Sequence, residues 1–164
     1  MKIQTAIVET GRRKYLTFRL GGEEYGLEIL KVREIIGVMK ITSVPQTPKY
    51  LRGVINLRGK VVPVIYLRRQ FGMEEIESTE KTCIIVIDRG NGGLCGLYVD
   101  AVSEVLDINY KEIEPTPDFG ARIKTDFISG MAKVGDRVKT LLNISAVLSG
   151  LDISKAREGV KEQE

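Results

Sequence analysis

GVINLRGKVVPVIYL, Gly53 to Leu67, is a run of sheet-forming residues with one charge at its middle. Val54, Ile55 and Leu57 precede Arg58-Gly59, and Val61, Val62, Val64, Ile65 and Leu67 follow it. Two β-branched runs around a glycine-containing tip read as a β-hairpin. The expected loop has three residues, with Arg58 in a type I turn and Gly59 in the left-handed position. Pro63 removes one ladder donor and predicts an edge or a bulge for its strand. Shifted by 77 residues, the stretch lies over GMAKVGDRVKTLLNI, Gly130 to Ile144. Gly53, Val61, Val64, Ile65 and Leu67 then meet Gly130, Val138, Leu141, Leu142 and Ile144, while Arg58 meets Gly135. The hairpin does not itself demand an arginine at its tip.

A second repeat, offset by 70, lays YGLEILKVREII (25–36) over CGLYVDAVSEVL (95–106). Gly26/Gly96, Leu27/Leu97, Val32/Val102 and Glu34/Glu104 are identical, and Ile29/Val99, Ile35/Val105 and Ile36/Leu106 are conservative. YLTFRL-GGEE-YGLEI and CIIVID-RGNGG-LCGLYV read as further hairpins. LEILKVREIIG fits one helical turn near Ile29–Lys31 followed by a strand. Short helices are expected at RRQFG and ISAVLSG, each ending near a glycine. Short strands at close spacing predict an all-β (mainly β) fold of two similar five-stranded barrels, roughly 15–80 and 81–150. Neither half has much core alone, so they would share an apolar interface in a single domain over 15–151. Residues 1–14 are expected to form a flexible arm and 152–164 a polar tail.

The 164 residues carry 25 basic and 22 acidic side chains, mixed along the chain, for a net charge of +3. Nucleic-acid binders concentrate their basic residues in a stripe, so a small-barrel nucleic-acid binder is disfavoured. The chain has no histidine. That removes the Ser-His-Asp triad, the Cys-His pair, histidine metal sites and a phosphoaccepting histidine. No metal or cofactor is expected. RGNGG (89–93) lacks a following GK[ST] and a helix, so it reads as a hairpin loop rather than a phosphate cradle. Glu23-Glu24 and Glu74-Glu75-Glu77 lie in turn-like settings that suit solvated loops better than acid-base chemistry.

In the second hairpin Cys83 falls near Val99 and Cys95 near Ile87, too far apart for a disulfide at about 3.3 Å per residue. Two free, packed thiols suit a reducing cytosol. The start, MKIQTAIVETGRRK, has no apolar leader core, and no run approaches a membrane span of about 18 apolar residues. A cytoplasmic location is the resulting expectation.

The blocks FRLGGEEYGLEILKVREII, SVPQTPKYLRGVINLRG, GLYVDAVSEVL and ISGMAKVGDRVKTLLNI, in this order with the Gly53–Leu67 stretch, resemble the CheW family of bacterial chemotaxis coupling proteins. The resemblance runs from about Tyr15 to Leu151. It implies two intertwined five-stranded Src-homology-like barrels and a non-catalytic adaptor. Its implied partners are the histidine kinase CheA, through a regulatory domain of the same fold, and the cytoplasmic tips of methyl-accepting chemotaxis receptors. It further implies recruitment to membrane-associated receptor arrays. Ile29, Val32, Val99, Val102 and Val105 correspond to partner-facing positions, and Arg58 of the NLRG motif to the coupling position. Glu34, Gly53 and Asn56 complete the expected protein-binding set. Tyr66 stands where many members carry Asp or Asn, so the helix at RRQFG lacks its usual cap.

An isolated regulatory domain related to the kinase is the rival reading, and 164 residues leave no room for a second domain. One geometric expectation is specific. Glu34, an acid flanked by apolar residues, should lie within reach of Arg58 and orient its guanidinium.

Overall fold

The structure, a computed structural model, describes residues 12–90, 92–117 and 126–149. Most of the arm expected at 1–14 and the whole tail at 152–164 lie outside the described residues. Strand β1 (Arg12–Leu20) already includes the basic residues of GRRK. It is followed by β2 (Glu23–Glu28), a single 3-10 turn at Ile29–Lys31 and β3 (Val32–Gly37), as the sequence predicts. The first hairpin of the repeat is β4 (Leu51–Leu57) and β5 (Lys60–Tyr66), leading into helix α1 (Leu67–Gln70). Next come β6 (Cys83–Asp88), β7 (Leu94–Val99), β8 (Ala101–Asn109) and the two-residue β9 (Ile113–Glu114). β10 (Ile128–Val134), β11 (Arg137–Leu142) and helix α2 (Ile144–Ser149) close the described fold.

The strands form two sheets, ordered β8-β1-β2-β11-β10-β9 and β3-β6-β7-β5-β4. The fold is all-β, with one sheet gaining a sixth strand over the expected five because β9 joins β10. The two sequence repeats interlock. β5 of the first runs parallel to β7 of the second through Val64↔Gly96, and β11 runs parallel to β2 through Leu141↔Gly26. These two pairings are images of each other under the 77 and 70 offsets. Gly26 and Gly96 serve the same purpose. A Cβ on Gly26 would stand 2.8 Å from Leu141 Cδ2, and one on Gly96 would stand 2.7 Å from Ile84 Cγ2.

Register shifts also fall at equivalent places, between Leu51 and Gly53 in β4 and between Ile128 and Gly130 in β10. β5 is an inner strand rather than an edge; of the two readings that Pro63 offers, the bulge is the one present, on its partner β4. The proline is tolerated because the ladder to β7 begins one residue later, at Val64, and the β4 bulge lies alongside.

A single cluster between the sheets contains Leu16, Phe18, Leu27, Ile85, Ile87, Leu97 and Leu142, and each sheet has a smaller cluster on its other face. The second hairpin has the expected register, Cys83↔Val99 and Ile87↔Cys95, with both cysteines free and buried. Burial pushes the Cys95 thiol up to about 12, so it packs as an inert small hydrophobe.

Candidate functional site

The β4–β5 tip differs from the expected loop. Leu57 pairs directly with Lys60, leaving a two-residue turn in which Arg58 (φ +50) and Gly59 (φ +86) are both left-handed. That is the type I′ pattern, favoured because its twist matches that of the strands. Asn56 secures the turn, its side-chain oxygen accepting from the Gly59 N–H at 2.8 Å. Arg58 then reaches across to β3 and donates to both carboxylate oxygens of Glu34, one contact being 3.5 Å. The Arg58 side chain stays 70% exposed while Glu34 is largely covered. The hydrogen bond to Glu34 raises the guanidinium pKa further. The pair spans the gap between β3 and β4, the two outer strands of one sheet. Gly53, another residue of the expected site, is structural. A side chain there would strike the Thr42 carbonyl, which instead closes a backbone bridge, each N–H of Thr42 and Val54 donating to the other's carbonyl at 2.8 Å.

The apolar positions divide by depth. Ile29, Val32 and Val99 are core residues with almost no surface. Register explains why. Ile87 opposes Val32 and Ile85 opposes Ile35 in one sheet, while Phe18 opposes Val102 and Leu16 opposes Val105 in the other. Residues directly opposite in an antiparallel pair share a face, so all four point toward the inter-sheet cluster. β3 and β8 are outer strands, and their outer positions are only partly covered: Ile35 and Val102 are half-buried, and Val105 is 43% exposed. Beside Val102 a groove of about 470 Å³ opens between the sheets, with Cys83 and Ala101 within it and Arg19, Lys81 and Ser103 on its margins.

Two polar clusters give no signal in the sequence. Arg68, on α1, clamps Asp100 with Nε at 2.8 Å and Nη2 at 2.5 Å, and its Nη1 donates to the Glu74 carbonyl at 2.6 Å. The Gly21 N–H also donates to Asp100 at 2.8 Å. Burial opposes the Asp100 charge, but Arg68 and the Gly21 N–H outweigh it and hold the carboxyl below its ordinary range. This knot ties α1 and the β7–β8 corner to the β1–β2 turn, and so one sheet to the other. The second cluster stacks the Arg52 guanidinium on the rings of Tyr66 and Tyr98, 4.7 and 4.5 Å from their centroids. Tyr66 offers α1 no side-chain cap, as its departure from the family pattern predicts. Asn143, its equivalent 77 residues on, does cap α2 by accepting from the Ala146 N–H at 3.3 Å.

No group of metal-ligating side chains exists among the described residues, and no helix there is long and apolar enough to cross a membrane. Two interlocked small barrels with an open groove and a tethered arginine define a protein whose visible specialisation is its surface. The CheW-like domain model matches residues 14–152, and the chain belongs to that family. It is 38% identical to the chemotaxis protein CheW of Klebsiella aerogenes, over 89% of this chain and 87% of that one. Identity to the Bacillus subtilis chemotaxis protein CheW is 35%, over 97% of this chain and 99% of the relative. The crystal structure of the scaffolding protein TtCheW from Thermoanaerobacter tengcongensis superposes with a TM-score of 0.73. It shares 39% identity and covers 80% of this chain and 88% of that one.

Proposed function

We propose that this chain is a non-catalytic chemotaxis adaptor that bridges the cytoplasmic tips of chemoreceptors to the regulatory domain of the histidine kinase CheA. In this reading it is cytoplasmic and recruited to membrane-associated receptor arrays. The observation that carries the proposal, beside family membership, is the β8 edge. Val102 and Val105 lie partly bare on the face that elsewhere forms the shared core. An amphipathic helix laid along that groove covers them, as helix-in-groove recognition requires. Arg58 stands on another rim, held by Glu34 so that its guanidinium is oriented before a partner arrives. Preorganisation of this kind lowers the ordering cost of a contact. The protein transmits geometry, a small shift at the receptor tip repositioning the kinase.

Calorimetry of the full chain against the kinase regulatory domain and against a receptor-tip fragment tests the reading. Heat is expected with each. Val105→Glu should remove the receptor heat alone, and Arg58→Ala should weaken coupling with the fold intact. No heat with either partner at about tens of micromolar, the range in which such contacts are measurable, sinks the proposal.

A further inference from the structure

Each sheet lays an arginine over tyrosine on its outer face, and one of these arginines has an acid. On the first sheet Arg13 lies over the Tyr110 ring, 5.2 Å from its centroid, and its Nη1 donates to Glu28 at 2.7 Å. On the other sheet Arg52 sits 4.7 Å from the centroid of Tyr66 and 4.5 Å from that of Tyr98. Those two rings are 5.1 Å apart and perpendicular, so the guanidinium occupies the corner between them. Tyr98 stands, under the offset of 70, where the other repeat has Glu28. The position that supplies the acid in one repeat supplies a ring in the other.

Arg52 is therefore held without being neutralised. It is the extra residue of the β4 bulge, between Leu51, which faces Ile65, and Gly53, which faces Val64. Both rings beneath it are buried, and they take its face while leaving its N–H groups unused. Arg52 enters no ion pair or hydrogen bond among the described residues, and none of its nitrogens is cut off from the surface. A stacked guanidinium keeps its planar fork of donors, which matches the two oxygens of a carboxylate.

The surroundings favour a carboxylate on a protein over a polyanion. Arg69, 5.2 Å from the Tyr66 centroid, is already paired with Glu75, so an acid stands in the patch. Nucleic acid and anionic lipid call for a broad basic field instead. Ile76 lies alongside, 45% exposed, its N–H and carbonyl each 3.4 Å from the Tyr66 hydroxyl. Arginine backed by aromatic rings and bordered by bare apolar surface is the make-up of the energetic centre of a protein interface. Tyr66 and Tyr98 belong to the cluster on the outer face of their sheet, whereas Cys83 in the β8 groove belongs to the cluster between the sheets. A helix in that groove does not reach Arg52.

Resting on the functional reading above, we propose that Arg52 receives an Asp or Glu side chain of the kinase regulatory domain, and not of the receptor tip. The incoming carboxylate takes the place that Glu28 fills for Arg13.

Two measurements test this. Acetate and inorganic phosphate are titrated against the full chain at constant ionic strength, with the arginine Nε–H resonances followed. Acetate is expected to shift Arg52 saturably, with a midpoint below about 0.1 M, the weak end of the affinity scale. Arg58, already held by Glu34, should shift less. No saturable shift at Arg52 overturns the proposal, as does a larger response to phosphate, which would mark a polyanion site. In calorimetry against the kinase regulatory domain, Arg52→Gln should weaken binding at least about ten-fold, the effect of losing a hydrogen bond between charged groups. Arg52→Lys, which keeps the charge and loses the fork, should fall in between. Heat with a receptor-tip fragment should be unchanged in both. Kinase binding indifferent to Arg52→Gln, or receptor binding that falls with it, overturns the proposal and leaves the functional reading standing. No heat from the unmodified chain with the kinase sinks that reading and the partner named here together. Urea curves check that both variants fold, and the acetate titration of the unmodified chain decides the matter where one does not.

Discussion

The hairpins β4–β5 and β10–β11 are built alike and finished differently. Each carries a bulge beside a glycine, Gly53 or Gly130, and each lays its second strand parallel to a strand of the other repeat. Each also leaves one valine bare near its tip, Val61 at 61% and Val138 at 52% exposure. The tips then part company. Gly135 takes φ +65 where Arg58 takes +50, and only Arg58 reaches an acid across the seam. Glu104, the twin of Glu34, forms no ion pair among the described residues, and Gly135, the twin of Arg58, has no side chain to offer one. What the repeats share is what the fold needs, and what they do not share is available for function. The helices that follow obey the same division: α1 is anchored by Arg68 to Asp100, whereas α2 is capped by Asn143.

The largest asymmetry should therefore be in α1. Arg68→Ala leaves the Asp100 carboxylate covered and unpaired, a loss of about 3–5 kcal/mol in urea unfolding. Ser145, the equivalent residue of α2, is exposed, and Ser145→Ala should stay within about 0.5 kcal/mol. Equal losses at the two sites would mean that the helices are held alike. The same knot sets an acid limit. The folded Asp100 carboxyl titrates below its ordinary range, so its contribution is complete above the unfolded value of about 3.9 and is lost as pH falls through the folded one. Asp100→Asn should be less stable at neutral pH and lose less on acidification, which urea midpoints between about pH 6 and pH 2.5 would show.

Where the repeats agree, they should fail together. Gly26→Ala and Gly96→Ala each push a methyl into a side chain on a neighbouring strand, at 2.8 and 2.7 Å. Overpacking of this kind costs about 1–3 kcal/mol, and the two losses should match within the error of a denaturation curve. A mismatch would show that one parallel seam is looser than its twin.

How much of this was legible depended on whether a residue obeyed a period. The hairpins, the Cys83↔Val99 register, the helical turn at Ile29–Lys31 and both short helices follow from apolar spacing and glycine placement. Arg58 stands out because its twin position in the other repeat is glycine, and Glu34 because it is an acid flanked by apolar residues. Depth was not legible: Val32 and Val102 are the same residue on equivalent strands, yet only Val32 is fully covered. Their packing depends on which loops lie over them, which local pattern does not encode. The Arg68–Asp100 clamp was hidden for a similar reason, since its partners are 32 residues apart and meet only after the sheets stack. The turn at Arg58 departs from the expected type because the Asn56 bond to the Gly59 N–H fixes a positive φ that arginine seldom adopts.

Capping gives a smaller contrast. Asn143→Ala removes the acceptor for the Ala146 N–H and should cost about 1 kcal/mol. Tyr66, without a capping bond, works instead by packing edge-on against Tyr98 at 5.1 Å. Tyr66→Asn would supply a cap and lose a buried ring, a net loss of about 2 kcal/mol or more. A gain in stability on that change would show that capping outweighs packing at α1.

The smallest expected change in stability carries the most information about function. Arg58 sits in the left-handed region, where a non-glycine residue is disfavoured by about 1 kcal/mol and glycine is at ease. Arg58→Gly gives the first tip the chemistry of the second, so the backbone should relax by up to about 1 kcal/mol. Opposing this is the loss of an exposed ion pair, whose worth in water is small. The variant should be as stable as the parent or slightly more so in urea unfolding, while kinase coupling in a reconstituted receptor assembly falls. Gly135→Arg, the reciprocal change, should cost up to about 1 kcal/mol. If Arg58→Gly instead destabilises by more than about 1 kcal/mol with coupling retained, the arginine belongs to the fold, and the two tips differ for structural reasons after all.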